Sequence, residues 1–480
     1  MQRLNQLVVR KIMTPRIASA NSTHFVYGRR VLNPTSKAAG RVFSSEARVF
    51  PSSQDQSLQP WEVPKWDCKG DYRAEAFLED PSKPLYALQP NMPRLPVPDV
   101  KETLQRFLPT ALPLAETPEE AQSLKAAVES FESEAAALQD RLLQRYEEYS
   151  NTGSSWLQHW WNTLGYLQVR DRSPINVSYY FQLQDDPTCY TGDVEPFIRR
   201  GASMLWHMAD YRYKICSGSM PQETLGKKKI PLCSTAFKYM FHACRIPRKD
   251  QDTYTIYDPS RHTHAIVACK GHFFAVDFLD EAGNVVPVSV LEQRLHHCVD
   301  LAVAQAPVLE LGWLTASNRD EWAAARQALL EAGGVQMETA LEKLQSGAMM
   351  LCLDIDEEPV SRQELSHLLL HGVSRKGENK PLNRWFDKSI QMIVAKNGKG
   401  GLLGEHTMMD GMPMVGFADH IAKRSHQDAV QGSMNYGGNS TPAGGVENIF
   451  QDSLSQVAGS HVVPSLVDGG MFVSFLFWKD

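Results

Sequence analysis

His406 and Asp410 stand four residues apart in the stretch Gly401-Leu402-Leu403-Gly404-Glu405-His406-Thr407-Met408-Met409-Asp410-Gly411. An imidazole titrates near neutrality, so it can take a proton from a hydroxyl or a thiol at physiological pH. A carboxylate four positions on could hold the ring or its loop in one orientation, as the third member of a triad does. Gly411 then allows a sharp backbone turn. General-base catalysis is the chemistry these residues suit. A bare His-x-x-x-Asp-Gly string also recurs by chance in ordinary loops, so the surrounding elements must carry weight.

Those elements read as a hairpin. Ser389 to Ala395 is a short apolar run rich in β-branched residues, and Lys396 to Gly400 follows it. An Asn-Gly pair between two apolar runs signals a tight turn, because both residues tolerate positive φ. The returning strand ends near His406, and a strand end is a rigid mount for one ring. Asn383-Arg384-Trp385-Phe386-Asp387-Lys388 leads straight into the hairpin. Arg384 is expected to pair with Asp410 or Asp387 and so to fix it.

The composition is that of an ordinary globular chain: 480 residues, 42% hydrophobic, 22% charged. That length allows more than one core. No run of about 18 apolar residues appears, so no membrane span is expected. Eight scattered cysteines include no Cys-x-x-Cys pair, which reads as free thiols in a reducing compartment. His262, His264 and His272 match no standard ligand spacing, and no metal is expected. Residues 1–43 hold eight Lys or Arg and no Asp or Glu. A basic, acid-free leader of this kind reads as a mitochondrial transit peptide, cut after Phe43. Its removal takes the formal charge from −6 to −14, and an acidic mature chain argues against nucleic-acid binding.

Along the chain, residues 44–91 read as a Pro- and Ser-rich linker, and 92–430 as the folded domain. Thr117-Pro118-Glu119-Glu120 is a capping box that opens a helix to about Tyr149, with Leu124, Val128, Phe131, Ala135, Leu138 and Leu142 on one face. Ser155 to Leu167 carries Trp156, Trp160, Trp161 and Tyr166, for which core packing is the first account. Helices are expected at Gly201–Tyr213, Ser234–Arg245, from Pro287 to Ala304, from Ser317 or Asn318 to Gly333-Gly334, at Val335–Gln345 and at Ser361–His371. His264–Cys269 and His272–Leu279 read as a hairpin across Lys270-Gly271, and Met349–Ile355 as a buried strand. Lys227-Lys228-Lys229 reads as a solvated loop. Strands alternating with helices indicate a layered α/β or α+β domain. Residues 431–480 read as a divergent tail: Gly-, Asn- and Ser-rich to Gly445, then an apolar run at Met471–Phe477.

The stretch NRWFDKSIQMIVAKNGKGGLLGEHTMMDGMP, from Asn383 to Pro413, resembles the carnitine/choline acyltransferase family. So do the entry at Met92–Asp99 and the turn Arg245–Asp252, and the likeness runs from about Pro93 to about Ile421. The resemblance implies an α/β fold like that of chloramphenicol acetyltransferase, a layered sandwich with a mixed sheet flanked by helices. It implies that His406 is the base, and that Trp161 and Tyr166 border the acyl-acceptor pocket, where an aromatic face suits a trimethylammonium group. Carnitine and acyl-CoA would be substrates, with no cofactor, and the acyl group would pass directly between coenzyme A and carnitine without an acyl-enzyme. An acetyl group is the expected cargo and the mitochondrial matrix the expected place. A choline or longer-chain carnitine acyltransferase is the alternative, as is a catalytically impaired truncated paralogue. In full-length relatives a second domain supplies most of the coenzyme A site, and this chain has no convincing counterpart to it.

Overall fold

The computed structural model describes residues 80–149, 155–190, 192–305, 309–373, 381–431 and 445–458. The basic leader with its cleavage point, most of the Pro- and Ser-rich stretch, residues 432–444 and Met471–Phe477 lie outside the described residues. The chain divides into two compact units, one over Pro93–Gln158 and the other over 80–92 and the chain from His159 onward.

The first unit is helical. Asp99 caps α1 (Val100–Ala111) by accepting the Glu102 N–H at 2.9 Å, and Thr117 caps α2 (Pro118–Glu134) by accepting that of Glu120 at 3.2 Å. The single helix expected to Tyr149 is two. Ala135, buried with ψ −8, breaks the ladder before α3 (Ala136–Tyr149), and Leu138 beyond the break is exposed. Leu104, Ala111, Leu124 and Val128 form the small core of this unit.

The second unit is built on a mixed sheet. Its strands are β1 (Tyr179–Gln182), β6 (His264–Cys269), β7 (His272–Asp277), β8 (Met350–Asp354), β9 (Ile390–Ala395), β10 (Gly400–Gly404) and β11 (Val446–Asn448). They lie in the order β1-β10-β9-β8-β6-β7-β11. β6, β8 and β9 run parallel, and the outer pairs are antiparallel. Side chains alternate between two cores. Val267, Leu351, Leu353, Met392 and Val394 face one; Ile266, Ala268, Met350, Cys352 and Ile393 face the other. Helices α4 (Pro196–Cys216), α5 (Val288–Ala304) and α8 (Gly411–Gln431) contribute to the first core. Helices α6 (Arg319–Ser346), α7 (Arg362–His371) and α9 (Gln451–Ala458) close the second. Because both faces are covered, the central strands read as unbroken apolar runs rather than alternating ones.

The α/β sandwich is as expected, with local differences. Ser234–Arg245 is not a helix: Thr235–Tyr239 makes a 3₁₀ turn, and β4 (Ala243–Ile246) pairs antiparallel with β5 (Thr253–Ile256). Partnership with a strand seven residues on outweighs the helical pattern of the local sequence. The basic run lies at the tip of a small hairpin between β2 (Thr224–Leu225) and β3 (Ile230–Pro231). Asn318 is the cap of α6, and the expected stop falls where Gly334 (φ 54, ψ −142) leaves the helical region and divides α6 into two helical stretches. The segments assigned to linker and tail hold structure: Leu85 and Tyr86 are buried in the main core, β11 forms the sheet edge, and α9 packs Leu454 and Val457 into the second core. Among the described residues no helix is long and apolar enough to cross a membrane.

Candidate active site

The β9–β10 hairpin carries the candidate base. Only Gly398 of the Asn-Gly pair uses positive φ (75), following a turn closed by its N–H to Ala395 O at 2.8 Å. This is the arrangement of a type I turn with a left-handed residue after it. His406 follows the last residue of β10 by two positions, and its side chain is 31% exposed, so substrate can reach the ring.

Two tyrosines define the ring's position. Thr163–Leu167 is one π turn, closed by the Gln168 N–H on Thr163 O at 2.9 Å. It presents the Tyr166 hydroxyl to His406 Nδ1 at 2.9 Å, with the two rings stacked at 5.3 Å and 13°. Such turns recur at functional sites because they re-aim a side chain. Tyr179, on β1, meets the imidazole edge-on at 4.8 Å and donates to Met409 O at 3.2 Å. Gly404 makes that approach possible: a Cβ there would lie 2.7 Å from the Tyr179 ring. Burial pushes both phenols up, with Asp410 and Glu405 adding to the effect, so both are neutral at physiological pH.

Asp410 does not orient the ring. Its Oδ1 is 3.9 Å from Nε2, too far for a hydrogen bond, and the carboxylate is 85% exposed. That oxygen instead accepts the Gly411 N–H at 2.8 Å in the first turn of α8, where the helix dipole favours negative charge. The expected pairing of Arg384 with Asp410 or Asp387 is also corrected. Arg384 is fully buried and grips Asp354 with two bonds of 2.7 and 3.1 Å, plus Leu368 O at 2.8 Å, tying β8 to α7. Asp354 terminates the strand beside β9, so it offers the carboxylate nearest to Arg384.

Asp387 belongs to a second buried network that the sequence did not expose. Its carboxylate forms an ion pair with Arg319 Nη1 at 2.7 Å and accepts the Trp322 indole N–H at 2.7 Å. Burial pushes Asp387 above the ordinary carboxylate range, and Arg319 pulls it back. Arg319 Nε and Arg245 Nε each reach Asp252 Oδ2 at 2.7 Å, and Arg170 reaches Oδ1 at 3.0 Å. Burial would raise Asp252, but the three arginines outweigh it and hold the carboxyl below its usual range. Arg245 and Asp252 bracket the turn Pro247–Gln251, a signal visible in the sequence only once β4 and β5 are known to pair.

Trp161 is 58% exposed and meets the Tyr166 ring edge-on at 6.2 Å, beside the base. Trp156 is buried, its indole N–H on Leu95 O at 3.0 Å, and Trp160 is half-buried. Burial raises the thiols of Cys244, Cys269 and Cys352 to about 12 and that of Cys189 to about 11, so none is a ready nucleophile. Among the described residues no cluster of three or more His, Cys, Asp or Glu side chains is placed to hold a metal. His264 and His272 instead turn ring nitrogens to Lys343 O (2.8 Å) and Gln305 O (2.7 Å).

A mixed sheet flanked by helices, with a reachable histidine at a hairpin's end, fits an acyl-transfer fold. Residues 95–449 match the Choline/Carnitine o-acyltransferase family, and the chain belongs to that family. It is 31% identical to the mitochondrial carnitine O-acetyltransferase of Saccharomyces cerevisiae, over 71% of this chain and 49% of that protein. It is 33% identical to the human muscle isoform of carnitine O-palmitoyltransferase 1, over 69% and 41%. It is 28% identical to human carnitine O-acetyltransferase, over 70% and 53%. The chain spans about half the length of the curated relatives it matches.

Proposed function

We propose that this chain transfers an acyl group between coenzyme A and carnitine, with His406 as general base. The observation that carries the reading is the Tyr166 contact. For His406 Nε2 to hold a free lone pair, Nδ1 must carry the proton, and the Tyr166 oxygen at 2.9 Å is placed to accept it. The other nitrogen then keeps its lone pair, 3.9 Å from the exposed Asp410 carboxylate. The carnitine hydroxyl gives its proton to Nε2 as its oxygen attacks the thioester carbonyl. The C–S bond breaks, and the departing coenzyme A sulfur takes the proton back from the imidazolium. No acyl-enzyme forms, in keeping with the buried, protonated cysteines.

Trp161 supplies an exposed aromatic face for the trimethylammonium group. Acetyl is the proposed cargo, and the mitochondrial matrix the proposed place. Support comes from the acid-free basic leader and from the mitochondrial acetyltransferase among the relatives.

Thiol release from acetyl-, octanoyl- and palmitoyl-CoA, with and without carnitine or choline, tests this. Release that requires carnitine and is fastest with acetyl-CoA is expected. A folded protein whose release is independent of any acceptor would refute the reading.

A further inference from the structure

We infer that Arg245 is the positioning residue that sets the His406–Tyr166 pair, a role that rests on the reading of His406 as base. Arg245 is fully buried on β4 and touches neither ring. Its guanidinium instead grips the backbone or side chains of both ring-bearing segments. Nη1 donates to Glu405 Oε1 at 3.2 Å and to Thr407 Oγ1 at 3.0 Å, the residues on either side of His406. Nη2 donates to the Tyr166 carbonyl at 2.9 Å, inside the π turn. Nε is anchored on Asp252 at 2.7 Å, and Asp252 is held in turn by Arg319 and Arg170. The base and its orienting phenol are 240 positions apart in the chain. One rigid fork spans the gap between their two loops.

The fork is tied down on its own strand as well. The Arg245 N–H donates to Asp387 O at 2.9 Å, so β4 is fixed to the segment that precedes β9. Glu405 and Thr407 close a local ring: the Thr407 N–H and hydroxyl both donate to the Glu405 carboxylate. Without Arg245 that ring stays closed but floats relative to the π turn. The Nδ1–Tyr166 bond would then cease to be enforced, and the imidazole would exchange between tautomers.

Lysine at this position keeps the charge that balances Asp252 and Glu405, but an ammonium cannot reproduce a planar fork. Arg245→Lys therefore separates position from charge. Nitrogen NMR of ¹⁵N-histidine protein reads the tautomer of His406, assigned by its loss in His406→Gln. In the native chain the Nδ1–H form, with the Tyr166 oxygen as acceptor, is expected to dominate. In Arg245→Lys the ratio is expected to approach one, with kcat reduced and KM for carnitine little changed. Glu405→Gln, which weakens one arm of the grip and conserves shape, is expected to shift the ratio in the same direction and by less. A purely structural arginine would lower the melting temperature and leave the tautomer ratio alone. That result in Arg245→Lys overturns the proposal, as it does in Glu405→Gln should the lysine variant not fold. The readout needs no turnover. A tautomer shift in a protein that fails to transfer acyl groups would leave the positioning role standing and remove the base reading instead.

Discussion

Tyr166→Phe removes one oxygen from the site and little else. The stacked ring, 5.3 Å from the imidazole, remains, and so does the carbonyl that Arg245 holds at 2.9 Å, so the π turn keeps its anchor. What is lost is the 2.9 Å contact to Nδ1. A neutral hydrogen bond of this kind contributes about 0.5–1.5 kcal/mol, so kcat should fall roughly 2- to 13-fold. KM for carnitine should move less than kcat, since the ring that borders the acceptor pocket stays in place. Thiol release under saturating acetyl-CoA and carnitine measures the loss, with Asp410→Asn run beside it. At 3.9 Å and largely exposed, the Asp410 carboxylate makes no hydrogen bond that orients the ring. Asp410→Asn should therefore leave the His406 tautomer as it is. A Tyr166→Phe enzyme of native rate, beside an Asp410→Asn enzyme whose tautomer ratio has collapsed, would refute the assignment and restore the carboxylate as orienter.

Arg384→Ala should destabilise the fold by about 3–5 kcal/mol in urea unfolding, because it leaves Asp354 buried and unpaired; a loss below about 1 kcal/mol would contradict the pairing. Trp161→Ala should raise KM for carnitine roughly 2- to 5-fold, the worth of an exposed cation–π contact, with kcat and melting temperature nearly unchanged; an unchanged KM would remove Trp161 from the pocket. Acid should weaken the fold through two buried histidines. Burial holds His264 down at about 4 and, with Arg212 beside it, His242 well below its usual range. Both are neutral in the folded chain, whereas the unfolded chain takes up protons from about pH 6.5. Stability is therefore intact above that pH and falls as pH drops from about 6.5 to about 4, by roughly 3 kcal/mol for His264 alone. A His264→Gln variant that kept the full slope would sink this assignment.

What the sequence made legible was local. The β9–β10 hairpin and the one at Lys270-Gly271 announce themselves through a turn former between apolar runs, and the caps at Thr117 and Asn318 lie within a few residues of the groups they satisfy. His406 could be singled out because its hairpin, its approach segment and its glycines all lie within about thirty residues. The charged partnerships could not be read in this way. Arg384 finds Asp354 thirty positions away rather than the closer-lying Asp387, because β8 and β9 run side by side. Asp387 finds Arg319, 68 positions back, for the like reason that α6 begins above it. Ser234–Arg245 has a helical pattern of apolar residues, and only the strand partner at Thr253–Ile256 makes it otherwise. Tyr179 escaped notice because its role depends on Gly404, a neighbour only across the β1–β10 register.

The most direct measurement is the single-turnover rate of acetyl transfer to carnitine by the chain with His406→Ala, with acetyl-CoA binding measured in parallel. A general base supplies roughly 10²- to 10⁴-fold, so the rate should fall by that factor while acetyl-CoA still binds. A variant that transfers acetyl groups at close to the native rate would contradict the assignment of His406.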